Sequence, residues 1–467
     1  KDSAIALGVR TLFPPRVYSV CVCQNTSLRC VMMSSSKRAA DGEKRGQQKK
    51  RRKGAKGRTQ KNFDMSKYVQ RYVAIKMAYF GHNYRGFAIQ DSTKETIEEY
   101  LFCALKKTCL IESRESCRFT VSGRTDAGVS AVGQVIALSL RSKQLAATAT
   151  DDGSEGAQNL LPRSEELDYV AIVNRQLPPD IRLLAWEDVP KTFSARFSPV
   201  SRTYRYFFAR RSLDIKKMQE AAQLLVGKHD FRNFCKMNVI SVKNFEREIL
   251  SFEVRPASLA VREGERARSS LPSQEEEGRA MYMFEVKGRA FLWHQVRMMS
   301  AVLFLIGSGD EDASVIAELL DTTKHPRRPQ YNMAPEGPLI LCDTGFQNLS
   351  FRRSDCFGLP WILKLYEKTW NELAIKATMA LTFLSVTKDL DPGGGDYPIR
   401  TDYVNGFKAG TDAYVPLLSR ETAMSEKERI ENLSEYRQKQ RSDYMNYKQQ
   451  GPSEREIAIK GRGDHGQ

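Results

Sequence analysis

The stretch VSGRTDAGVSA, residues 121 to 131, sets one carboxylate, Asp126, in a turn bounded by Gly123 and Gly128, directly before the apolar run VGQVIALSL. A carboxylate fixed at the mouth of a buried strand can serve as a nucleophile or as a general base. Taken alone, such a turn is most often structural. Two other segments bear on the choice. Arg297 lies in the first turn of HQVRMMSAVLFLIGSG, whose remainder is apolar on nearly all sides and reads as a buried helix. Either this guanidinium snorkels out at the helix end, or it pairs with a buried acid, because a buried charge without a partner is costly; Asp126 is the candidate. In SRTYRYFF, the residues Tyr204, Tyr206 and Phe208 share one strand face, alternating with Thr203, Arg205 and Phe207. Such interleaving suits base stacking and phosphate contact, and equally suits ordinary core packing.

The elements that must position these residues are legible from periodicity. YVAIKMAYFG alternates with Val73, Ile75, Met77 and Tyr79 on one face and reads as a strand. A Gly-bounded loop, GHNYRGF, follows. TIEEYLFCALKKTCL reads as a helix with Thr96 and Glu99 as a capping box and an apolar stripe of Ile97, Tyr100, Leu101, Ala104 and Leu105. After the Asp126 segment, residues 142–166 are a polar insert without periodicity, read as a disordered loop. LDYVAIVNRQLPPDIRLLAWEDV gives a helix, a Pro-Pro break and a strand. LDIKKMQEAAQLLVG is an amphipathic helix with Asp214 as its N-cap. REILSFEV and MYMFEVKG are two strands separated by a second insert, about 255–280, and GPLILCDTGF is a last strand. Strands and helices mix without a βαβα rhythm, which favours an α+β fold with an antiparallel sheet and helices on one face. After residue 350 the chain turns polar and helical.

Composition bounds the partners. The 467 residues carry a formal net charge of +17. From Lys37 to Lys61 twelve Lys or Arg face only Asp41 and Glu43, so the excess lies mostly in the head and says little about the body. KRAADGEKRGQQKKRRK reads as a disordered two-part basic import signal. Residues 3–36, with Arg10, Arg16 and Arg29 and no acid, suit a transit peptide for a mitochondrial form and equally suit sequence upstream of a start at Met32 or Met33. The nine Cys include no CxxC pair and the five His are scattered, so no metal site is expected and the thiols are read as reduced. The longest apolar run, MMSAVLFLIG, is too short to span a bilayer, so no membrane partner is expected.

Three segments together resemble the TruA family of tRNA pseudouridine synthases. SGRTDAGVSA is similar to that family's signature around its catalytic aspartate, FSARFSPVSRTYRYFF to the segment with its active-site tyrosine, and GRAFLWHQVRMMSAVLFLIG to the segment with its active-site arginine. They occur in the family's order within about residues 69–346. The resemblance implies two ferredoxin-like (RRM-like) halves, 69–185 and 186–350, forming one continuous mainly antiparallel sheet with a basic cleft between them. A head (1–68) and a polar helical extension (351–467) would flank these halves. It implies Asp126 as catalytic carboxylate, Tyr204 stacking on the target uracil, Arg297 paired with Asp126, and Arg124 holding the base out of the stem. Tyr84, Arg85 and Gln90, on a substrate-gripping loop, and Arg202 and Arg205 would contact RNA. No cofactor is implied. The partner would be tRNA, with a homodimer and a monomer both open, in nucleus and cytoplasm. GKHDFRNFCKMN and QYNMAPEGPLILCDTGF are most similar to the eukaryotic branch acting on positions 38 and 39 of the anticodon arm, although Ala127 stands where that branch often has Lys. The alternatives are a relative acting on other stem positions or other RNAs, and a non-catalytic RNA-binding protein on the same fold.

Overall fold

The strand expected from YVAIKMAYFG is β1 (Tyr68–Tyr79), and it is buried on both faces rather than one. Successive side chains of a strand point to opposite faces. Val73, Ile75 and Met77 accordingly enter one core, while Tyr72 and Ala74 enter another with Phe193, Phe346 and Phe351 packed over it. The computed structural model describes residues 63–146, 160–240, 242–257, 279–351, 359–389 and 414–450; the basic head lies outside them.

The first half comprises β1, α1 (Ile97–Lys107), β2 (Thr120–Val121), β3 (Ser130–Leu145), α2 (Tyr169–Asn174) and β4 (Ile181–Asp188). Helix α1 starts where expected: Thr96 Oγ1 accepts from Glu99 N, and the expected stripe is buried except for Tyr100, which is half-buried. The second half comprises β5 (Pro199–Ala209), α3 (Ile215–Gln223), β6 (Gly227–Asp230), β7 (Glu246–Pro256), β8 (Met281–Gly288), α4 (Gln295–Gly307), α5 (Ser314–Leu320) and β9 (Leu339–Phe346). Asp214 caps α3 by accepting from Lys217 N. Helix α4 is buried along its whole length, Arg297 included. The fold is α+β, with one large, mainly antiparallel open sheet in the order β4-β1-β3-β9-β5-β8-β7-β6, β2 pairing beside β3.

The halves join where β3 runs parallel to β9, through Ser130↔Ile340 and Ala131↔Leu341. Gly133 permits this approach: a Cβ there would lie 2.3 Å from Cys342 O and 2.4 Å from Asp343 Cα. Thr344 Oγ1 then donates to Gly133 O at 2.8 Å.

Two expected boundaries shift. The insert read over 142–166 is narrower, because β3 continues to Leu145 and Glu166 is tied to Arg71 (3.1 Å), Ser142 Oγ (2.5 Å) and Lys143 N (2.7 Å). Arg71 in turn binds Asp188 at 2.5 Å, so a buried ionic cluster fixes both edges of this loop, and polarity concealed that anchoring from the sequence. Residues 147–159 and 258–278, the middles of both inserts, lie outside the described residues. The extension is helical, with α6 (Leu359–Asp389) and α7 (Glu426–Gln450). Helix α6 is not polar: Trp361, Trp370, Ile375 and Phe383 are exposed on it. Nor does the second core stop at residue 350, since Leu417 is fully buried in it.

Candidate active site

The Asp126 turn is built from a buried polar network. Gln134, fully buried in β3, donates through Nε2 to Tyr79 Oη (3.1 Å) and Gly123 O (2.7 Å). Its Oε1 accepts from Ser122 Oγ (2.7 Å) and Gly123 N (3.2 Å). Tyr79 Oη continues to Thr125 Oγ1 at 2.8 Å. A neighbouring loop grips the same turn: Phe87 N donates to Thr125 O and Gly128 N donates to Tyr84 O. Gly128 sits at φ +79°, a backbone that L side chains rarely adopt. The turn is therefore held from two sides, and the Asp126 side chain, 24% exposed, ends in a fixed place.

What meets that carboxylate comes from the second half of the chain. Trp293 Nε1 donates to Asp126 Oδ1 at 3.2 Å, and His294 Nε2 lies 3.4 Å from Oδ2. Arg297 does not pair with Asp126. Its Nε donates to Ala334 O (2.7 Å) and its Nη2 to Glu336 Oε2 (2.8 Å). The expected ion pair is thus replaced by one with Glu336, because the segment before β9 passes closer to the guanidinium than the Asp126 turn does. Tyr204, on β5, packs against both halves' cores and meets Phe291 edge to face at 5.1 Å. Its hydroxyl lies 3.8 Å from where a Gly123 Cβ would stand. Burial, with the Asp126 charge adding to it, pushes the Tyr204 phenol up to about 12, so it stays protonated.

The other expected RNA contacts divide. Arg124 and Arg85 are exposed, and neither has an acidic partner among the described residues. Gln90 is exposed, but its amide is turned back onto Arg85 O. Tyr84 does not project: its ring is buried and its hydroxyl donates to Asp180 at 2.6 Å. Arg202 is spent on carbonyls, reaching Ser122 O (2.8 Å) and Arg289 O (2.8 Å), and burial lowers its pKa. Arg205 pairs with Glu285 at 2.5 Å. Arg202 and Arg205 are therefore structural ties across the sheet rather than free cations, a consequence of facing strand neighbours that supply acceptors.

Trp293, His294 and Gln134 were not singled out by the sequence reading. Gln134 had a signal, a lone amide inside an apolar strand run. The Trp-His pair had a weaker one: neither residue is a helix N-cap type, yet both directly precede a helix. No three His, Cys, Asp or Glu side chains gather as a metal site among the described residues.

Comparison with known proteins extends the family resemblance. Residues 221–347 match the tRNA pseudouridine synthase family. A human protein named tRNA pseudouridine(38/39) synthase is 46% identical over 332 residues, covering 70% of this chain and 66% of that protein. A Caenorhabditis elegans protein, named probable tRNA pseudouridine synthase tag-124, is 35% identical over 333 residues, covering 69% of this chain and 79% of its own length. The chain belongs to the tRNA pseudouridine synthase family. A Methanosarcina acetivorans member, tRNA pseudouridine synthase A, is 35% identical over 249 residues, 53% of this chain and 76% of that protein. The chain spans about two thirds of the length of the mammalian family members it matches. Within the family frame, Asp126, Tyr204 and the Trp293–His294 pair are the groups that this fold brings to one place.

Proposed function

We propose that this protein isomerises uridine to pseudouridine in the anticodon arm of tRNA, at positions 38 and 39, with Asp126 as the catalytic carboxylate. The observation that carries the reading is the setting of Asp126: a partly exposed acid, fixed by a buried network, at the junction of two halves, with an aromatic ring beside it. The relatives named tRNA pseudouridine(38/39) synthase support the choice of positions.

The reaction breaks the C1′–N1 bond, turns the uracil and joins C5 to C1′; the C5 proton leaves and N1 ends protonated. An ionised carboxylate serves it either by attacking C1′ or by removing a sugar proton. Two flanking acids, as ordinary glycoside hydrolysis uses, are not needed. The base must first leave its stack, at a cost of a few kcal/mol. Tyr204 offsets that cost by offering its ring, and exposed Arg124 by filling the gap beside the turn. The strand orders β4-β1-β3-β2 and β9-β5-β8-β7 support two ferredoxin-like halves, and exposed Arg124 and Arg85, without an acidic partner among the described residues, support a basic cleft for tRNA. The basic head supports a nuclear as well as a cytoplasmic pool.

The test is single-turnover tritium release from tRNA carrying C5-labelled uridine, with the product mapped at positions 38 and 39. Asp126→Asn should fold, bind tRNA and release nothing. Release near the parent rate would remove Asp126 from the chemistry; binding without release by the parent chain would make this an RNA-binding protein.

A further inference from the structure

A second concave site lies beside the start of β2, apart from the Asp126 turn. Segments 114–120 and 191–194 line a cavity of about 530 Å³, within the size range of pockets that take small organic groups. Tyr72, Phe119 and Phe193 supply apolar lining, and Arg118 and Lys191 supply charge. We propose that this cavity takes one unstacked nucleotide of the bound tRNA, Lys191 holding its phosphate and the Arg118 guanidinium stacking on its base. This rests on the reading of tRNA as the substrate.

Arg118 is built into place. Its φ is 54°, left-handed for a residue with a Cβ. Backbone held in a sparsely populated region persists only where its surroundings impose it, and such residues cluster at functional sites. Here both neighbours are fastened to β3: Cys117 O accepts from Ser139 N at 2.7 Å, and Thr120 pairs with Ala137. The Arg118 side chain lies over the Tyr72 ring, its Cζ 5.1 Å from the centroid, and its Nη2 donates to Lys191 O at 2.9 Å. Tyr72 is fixed in turn, its hydroxyl donating to Phe193 O at 3.0 Å. Thr120 Oγ1 accepts from Ala195 N at 3.0 Å, which ties the second segment to β2. Arg118 is exposed, so with one guanidinium face on Tyr72 the other is open to a base. Stacking on an Arg plane is a common way for proteins to hold an unpaired base.

The charge at the site is not neutralised. Neither Arg118 nor Lys191 has an acidic partner among the described residues, and both are exposed. Arg114, also in the lining, is committed to Glu98 at 2.7 Å and lies over the Phe119 ring, and the acid in the lining is the exposed Glu115. Two cations without acidic partners against one carboxylate favour an anion, and the ring-backed guanidinium favours an anion that carries a flat base. Ser194, in the same wall, keeps a buried Oγ with no hydrogen-bond partner among the described residues; a phosphate oxygen or a base edge would satisfy it. The position favours the tRNA over a free nucleotide. Thr120 precedes Asp126 by six residues, so the two lie no more than about 22 Å apart. Arg202 also ties Ser122 O, before the Asp126 turn, to Arg196 O, just after Ser194.

The experiment measures tRNA Kd over a salt series for the full chain and for Arg118→Ala, Arg118→Lys and Lys191→Ala, with melting temperatures alongside, and titrates parent and variants with UMP and AMP. Loss of one stacked base predicts at least about fivefold weaker tRNA binding by Arg118→Ala. Arg118→Lys should not restore it, because Lys keeps the charge and loses the plane. Lys191→Ala should shrink the slope of log affinity against log salt by about 0.7 to 0.9, one phosphate's share. Parent-like Kd in both Arg118 variants would overturn the proposal, as would full rescue by Lys or an unchanged slope in folded Lys191→Ala. If Arg118→Ala fails to fold, the other two variants decide. Binding of UMP or AMP that Arg118→Ala abolishes, with tRNA affinity unchanged, would overturn it in favour of a free nucleotide. A parent chain without tRNA affinity would instead sink the proposed function.

Discussion

Arg297 and Glu336 form the ion pair that was expected between Arg297 and Asp126, with Nη2 and Oε2 2.8 Å apart. The pair reaches the Asp126 turn all the same, because the Glu336 side chain lies over Gly128, two residues beyond Asp126: a Gly128 Cβ would stand 2.5 Å from Glu336 Cγ. Arg297 thus steadies the turn through an intermediary, and also holds Ala334 by a hydrogen bond in each direction.

Arg297→Leu should therefore lower both stability and turnover. It orphans the Ala334 carbonyl, while the half-exposed Glu336 can turn to water. The expected loss is about 1–3 kcal/mol, as for an unmet buried group rather than a broken buried ion pair. Urea denaturation measures it. Glu336→Gln should cost less than half as much; equal losses would place the effect in the ion pair alone.

Gly128→Ala should strain the turn directly. A Cβ at φ +79° costs about 1–2 kcal/mol, and the contact with Glu336 adds to it. In the Glu336→Ala background the second part should vanish and the first remain. A double-variant cycle on melting curves reads the difference; strict additivity would show that the two side positions do not meet.

Gln134→Leu keeps the volume but strips the network. Gly123 N and O lose their Gln134 partner inside the protein, while Tyr79 Oη keeps Thr125 Oγ1, and the expected destabilisation is about 1–3 kcal/mol. Tritium release should fall further than the folded fraction does, because Gly123 and Thr125 lie in the turn just before Asp126. A rate that simply tracks the folded fraction would deny the network any part in aiming the acid.

Tyr204→Phe removes a hydroxyl that has no hydrogen-bond partner among the described residues. Stability at neutral pH should stay within about 1 kcal/mol of the parent, and tRNA binding should hold. The parent should also show an alkaline limit that the variant softens. The folded phenol titrates at about 12 and the unfolded one near its ordinary value of 10. The advantage of the neutral phenol is complete below pH 10 and is lost as pH rises from there through about 12. Denaturant midpoints across this window, parent against variant, test the sign.

Deleting residues 1–61 removes most of the positive excess. The slope of log tRNA affinity against log salt should shrink, since fewer phosphates are neutralised, while turnover at saturating tRNA survives. Filter binding over a salt series checks the first and tritium release the second.

Elements with strong periodicity were legible in advance: α1 with its Thr96 cap, α3 with Asp214, the buried α4, and β5 with Tyr206 and Phe208 inward. Local pattern fixes those. Asp126 and Tyr204 were legible as neighbours only through the family resemblance, which assigns the three motifs to one site. The partners of charged groups were not. Arg202, Arg205 and Arg297 all read as candidates for RNA or for Asp126, yet they reach Ser122, Glu285 and Glu336, 39 to 80 positions away, in strands and loops whose register no periodicity specifies. The same holds for the Arg71–Glu166 tie that shortens the first insert. Nor could polarity show that β1 would be covered on its second face, because much of the cover, around Phe193 and Phe351, is short and irregular.

Gly133 lets β3 and β9 touch over only two residue pairs. On one side of that contact lies Asp126; on the other lie Tyr204, Trp293 and His294. The junction is thus a vernier, reading any small slip between the two halves as a misaligned carboxylate. A substitution anywhere along the contact can leave both halves folded and the protein abundant in the cell, yet silence it, so damage of this kind would go unseen by any assay that counts folded molecules.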